Sequence, residues 1–131
     1  MKLYEAKTIF NRIQIDIEKI VNIEEFDSET NDPEVQLLSK EYLEIAYHLS
    51  KALNVMQYHQ KPVKATGTLV KRPDGRYEIE GTDYYFTSGS PIEIWDSEDG
   101  HFVRTKIEYK EDYYAVGYQD LLLDGVLARI R

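Results

Sequence analysis

Two hydrophobic rhythms divide the chain. From Leu3 to about residue 60 apolar side chains recur every three or four positions, and after Pro62 they alternate. In the first segment Ala6, Phe10, Ile13, Ile17 and Ile20 share one helical stripe, with Ile9 and Val21 flanking it. Ile13, Ile15 and Ile17 also alternate with Gln14 and Asp16, as a strand would, but there is no Gly or Pro between Met1 and Asp32. So long a stretch without a breaker predicts a helix. Ile15 then lies nearly opposite the stripe, close to the angle of Phe26. A helix apolar on two sides is expected between partners, here a second helix and the C-terminal half, or another subunit.

Residues 27–33 read as a linker. Asp32-Pro33 is a strong helix start, because the Asp carboxylate accepts from unpaired first-turn amides and Pro has no amide to leave unpaired. Val35, Leu38, Tyr42, Ile45, Leu49, Ala52 and Met56 follow at helical spacing, and the helix is expected to fray near Tyr58. The short link predicts an antiparallel hairpin over residues 1–61.

Lys61-Pro62 marks the change of period. Predicted strands are Val63–Arg72, Arg76–Glu80, Tyr84–Thr87, Ile92–Asp96, Phe102–Lys110, Tyr113–Tyr118 and Val126–Ile130. Pro73-Asp74-Gly75 is expected to turn tightly with a positive φ at Gly75, while the Ser97–Gly100 tip reads as looser. Short, closely spaced antiparallel strands over residues 62–131 fit a small SH3-like β-barrel, whose closure removes free edges. The fold class is therefore α+β: an N-terminal antiparallel helical hairpin packed on a C-terminal SH3-like barrel, sharing one core.

If the Ser97–Gly100 tip closes the central hairpin, Ile94 faces Val103 on one side of it. Trp95 then faces Phe102, and Glu93 faces Arg104, on the other. Two large aromatics outside a barrel need cover, from the helical hairpin or from a partner. The pairs Tyr84-Tyr85 and Tyr113-Tyr114 raise the same question, since adjacent strand residues point to opposite faces. Tyr84, Tyr85, Tyr113, Tyr114, Trp95, Phe102 and Arg104 are the candidate partner-binding residues.

Composition narrows the classes. A length of 131 residues suits one ordinary core, and 42% apolar with 31% charged residues is that of a folded chain. Eleven tyrosines stand out, a residue that interfaces over-use. The formal charge of −8 is spread over both halves, which disfavours direct nucleic-acid binding. The absence of Cys removes disulfides, thiolate metal sites and cysteine nucleophiles. No signal peptide or transmembrane run is read, so a cytoplasmic protein is expected.

Candidate chemistry is sparse. The acidic run from Glu24 to Glu34 lacks the Gly and Glu positions of a calcium loop and reads as a solvated tip. Glu44 and His48 could hold a metal at i,i+4, but the first helix offers Asp16 and Glu18 without a His. Ser88 or Ser90 with His101 lacks a nucleophile-elbow pattern, and the seven glycines are scattered at turns rather than in a phosphate loop. No enzyme, cofactor or metal is expected.

Residues 63–131 resemble a family of small bacterial domains of unknown function from Gram-positive bacteria and their mobile elements. The resemblance rests on the order of Gly67-Thr68-Leu69, Gly75-Arg76-Tyr77, Thr87-Ser88-Gly89, Ile92-Glu93, Lys106-Ile107-Glu108, Tyr113-Tyr114 and Ala128-Arg129-Ile130. It implies no activity. The functional expectation is a non-catalytic protein-interaction or regulatory module of the bacterial cytoplasm. It would have a protein partner, neither nucleic acid nor membrane, and a homodimer through the helical hairpin as a possibility. The rival is an acidic inhibitor that mimics nucleic-acid charge and blocks a DNA- or RNA-handling protein.

Overall fold

The computed structural model describes residues 1–26 and 31–131. The chain divides into two compact units, Met1–Gln60 and Lys61–Arg131. The first holds α1 (Leu3–Ile20) and α2 (Pro33–Gln60); the second holds a curled antiparallel sheet of six strands, so the class is α+β.

Helix α1 ends at Ile20, short of the Phe26 considered from sequence, and Val21 and Ile23 close it through amide bonds to Ile17 and Ile20. Helix α2 begins where the cap predicts. The Glu34 amide donates to the Asp32 carboxylate at 2.9 Å, and the Gln36 amide donates to the Asp32 carbonyl. Residues 27–30, in the middle of the linker and acidic tip, lie outside the described residues. The helices run antiparallel: Gln14 bonds Gln60, and the Phe26 ring meets Tyr42 with centroids 6.3 Å apart. Only Ile17, Ala46 and Leu53 are buried along them.

The strands are β1 (Ala65–Lys71), β2 (Tyr77–Ile79), β3 (Pro91–Asp96), β4 (His101–Lys110), β5 (Asp112–Ala115) and β6 (Leu127–Ile130), in the order β2-β1-β6-β3-β4-β5. The curl comes from two strands that change partners along their length. Residues 65–68 of β1 pair with β6 and 69–71 with β2, while β4 passes from β3 to β5 after Lys106. At the β1 bend Gly67 has no side chain because a Cβ there would sit 2.9 Å from the Ile79 methyl. The result is a half-barrel, its concave side filled by Leu69, Ile79, Ile92, Ile94, Ile107 and Leu123, all fully buried.

Two strand expectations are corrected. Tyr84–Thr87 is not a strand. Gly81 and Thr82 turn the chain back through the Thr82 amide to the Ile79 carbonyl, and only a Tyr85–Glu78 bridge pairs before the chain leaves again. Likewise β5 stops at Ala115, because Gly117 takes φ 84° and the Tyr118 amide bonds the Ala115 carbonyl. The Asp74-Gly75 turn forms as expected, with φ 87° at Gly75 and its amide on the Arg72 carbonyl at 3.0 Å.

Candidate functional site

The β3–β4 hairpin has the expected register: Glu93 opposite Arg104, Ile94 opposite Val103 and Trp95 opposite Phe102. Ile92 and Ile94 face the core, so Glu93 and Trp95 stand on the outer face. There Trp95 is 38% exposed, with its ring edge-on to Phe102 at 5.2 Å.

Glu93 is different: it is 3% exposed. Its cover comes from β6 and the residue after it. Arg129 donates two bonds to one carboxylate oxygen at 2.9 and 3.0 Å, and Arg131 donates to the other at 2.7 Å. Arg131 also bonds the Lys61 carbonyl, and the Arg129 guanidinium stacks 4.0 Å over the Phe102 ring. A buried carboxylate is tolerated when both oxygens are occupied in this way. Arg104 lies across the strand pair from Glu93, and Arg129 and Arg131 form ion pairs with the Glu93 carboxylate. Sequence reading missed them because β6 enters the sheet beside β3 only through long-range pairing. The available signal was the alternation of Leu127, Arg129 and Arg131 on the outward positions of the last strand.

A second aromatic site lies between the two edges of the curled sheet. A cleft of about 530 Å³ is lined by Tyr77 of β2, Asp112, Tyr113 and Tyr114 of β5, and the 119–123 loop. Lys71 bonds Asp112 across it at 2.9 Å, which holds the Asp112 carboxyl below its ordinary range, helped by the Tyr113 amide. Burial pushes the Tyr77 phenol up. Tyr113 stacks on Tyr109 with centroids 4.9 Å apart and packs against the core; Tyr114 is half-buried and lines the cleft.

Tyr84 and Tyr85 are 43% and 48% exposed, so both are open where at least one of the two was expected to be. The alternation argument fails for them because the segment is not a strand. Tyr85 carries Arg72 over its ring at 4.4 Å, and Arg72 also pairs with Asp74 and Glu78.

The structure does not bring the hydrolytic candidates together. Ser90 precedes β3 and His101 begins β4, at opposite ends of the hairpin that pairs Pro91 with Lys106 and Asp96 with His101. The Ser88 hydroxyl donates to Glu108 at 2.7 Å, the main cause of the lowered Glu108 carboxyl, and the Ser90 hydroxyl accepts from the Thr87 amide. Glu44 and His48 are 4.0 Å apart on an exposed face, and no group of three or more potential metal ligands occurs among the described residues. Among those residues, too, no helix is long and apolar enough to cross a membrane.

Residues 67–130 match the model of a domain of unknown function, DUF5348. A domain of unknown function in the C-terminal part is thereby shown; an origin in Gram-positive bacteria or their mobile elements forms no part of the match. No curated protein and no solved structure matches the chain. The aromatic candidates all lie inside the DUF5348 segment, while both helices lie outside it.

Proposed function

We propose that the chain is a non-catalytic protein-interaction module of the bacterial cytoplasm, built on an SH3-like half-barrel, with the outer sheet face around Trp95 as its contact surface. The observation that carries this reading is the Trp95–Phe102–Arg129 stack. A large aromatic, 38% exposed, sits on the outer face of a strand, its neighbours held by an ion cluster, beside a core that does not include it. Rigid aromatics with low ordering cost make binding hot spots.

Affinity capture from a bacterial lysate tests the contact surface. Wild-type protein is expected to retain a protein partner that Trp95→Ser loses, with the melting temperature nearly unchanged and nuclease treatment without effect. Retention by Trp95→Ser, or a partner released by nuclease, overturns the proposal. Capture of a nucleic-acid-handling protein that depends on salt and not on Trp95 supports the charge-mimic alternative instead.

A further inference from the structure

The helices carry an apolar pattern that their mutual contact uses only in part, through Ile17 and the Phe26–Tyr42 ring contact. On α2 the face turned to α1 runs through Ser39, Leu43 and Ser50, all half-buried, and the buried Ala46 and Leu53. The longer side chains stand beside that face. Val35, Leu38, Tyr42 and Ile45 are 38%, 50%, 49% and 50% exposed, and Leu49, Ala52 and Met56 continue their row. Their spacing alternates strictly between three and four from Val35 to Met56, the seven-residue repeat of a supercoiled helix seam. Helix α1 has the same spacing through Leu3, Ala6, Phe10, Ile13, Ile17 and Ile20, of which only Ile17 is buried.

We infer that a second copy of this chain covers the stripe, the two α2 helices crossing antiparallel so that the hairpins form a four-helix bundle. A seven-residue repeat asks for another helix, because a seam of that period stays in register with a partner helix of the same kind. The stripe is also complementary to itself when reversed. Pairing that sets Leu38 against Met56 and Ile45 against Leu49 sets the large Tyr42 against the small Ala52, so each layer receives a similar volume. Charge does not oppose the association. α1 carries three basic and three acidic residues and α2 two and three, so the formal charge of −8 lies mostly elsewhere. This inference rests on the helices and stands or falls apart from the Trp95 surface.

The test uses the full chain. Sedimentation equilibrium is expected to show a dimer at micromolar concentration and Ile45→Glu a monomer. A wild-type monomer, or an Ile45→Glu dimer, overturns the inference. Loss of the helices in Ile45→Glu would blunt that comparison, so a second measurement uses the absence of native cysteine. Leu38→Cys and Met56→Cys proteins, mixed and oxidised, are expected to form the mixed disulfide dimer, while each alone stays largely uncrosslinked. Efficient self-crosslinking of Leu38→Cys would mean parallel helices, and no crosslink in the mixture would mean a different interface; either result overturns the antiparallel seam.

Discussion

The two units solve the burial problem with unequal success. Helices of 18 and 28 residues bury three side chains between them, whereas strands of three to ten residues enclose a core of ten buried residues. The reason is geometric. Two helices side by side touch along one line, and each keeps most of its circumference outside. A sheet that curls because β1 and β4 change partners surrounds its own inner face. The hairpin is thus an element that needs cover, and the half-barrel one that carries its surface features on a finished support.

The sharpest way to break this contrast is to remove equal volume from each unit. Ile94→Ala, at a site with 0% exposure, should cost about 3–4 kcal/mol through lost burial and the cavity left behind. Ile45→Ala, half exposed, should cost less than about 1 kcal/mol in the dissociated chain. Chemical denaturation measures both, and equal costs would mean that the hairpin has a core of its own.

Next in size is the ion cluster that stiffens the outer face. Glu93→Ala strands two guanidiniums that are 27% and 16% exposed at the side chain. It should destabilise by about 2–3 kcal/mol, below the range for fully buried pairs because both arginines still reach water. Replacing Glu93 with Met at no loss of stability would show the cluster to be dispensable.

Glycine changes come third and separate strain from packing. Gly75→Val and Gly100→Val place a branched residue at φ 87° and φ 70° with open space around each. Each should cost about 1–2 kcal/mol from left-handed strain alone. The sequence reading ranked Gly100 as the milder site, but the similar φ values predict similar costs. Gly67→Ala instead drives a methyl against Ile79 and should cost about 1–3 kcal/mol by overpacking. Differential denaturation of the three variants tells the two causes apart.

The smallest effect concerns pH. The Asp112 carboxyl titrates below its ordinary value, so its contribution is present above the unfolded carboxylate pKa and is lost as pH falls through the lowered folded value. The Tyr77 phenol is raised by burial, so its contribution is present below the unfolded phenol pKa and is lost as pH rises through the folded value. Because Lys71 and Asp112 are largely exposed, Lys71→Met should leave the neutral-pH melting temperature almost unchanged and flatten the acid-side slope, with a change on the alkaline side too because Asp112 raises Lys71 itself. Tyr77→Phe should flatten only the alkaline side. Thermal melts across pH read both.

Local chemistry determined the elements. Strict three–four spacing and the Asp32-Pro33 cap specify α2, and the Asp74-Gly75 turn specifies where β1 ends and β2 begins. Alternation around the Ser97–Gly100 tip specifies the whole β3–β4 register, because neighbouring strands joined by a short turn leave little choice of pairing. Tertiary structure decided what meets across longer separations. It placed β6 between β1 and β3, which brought Arg129 and Arg131 to Glu93 over 36 and 38 positions. It also turned Tyr84-Tyr85 out of a strand and drew Lys71 across to Asp112. Periodicity, caps and turns act within a few residues and can be read along the chain. Ion partners, the bend at Gly67 and the cleft between sheet edges depend on which distant strands pair, and no local rule carries that information.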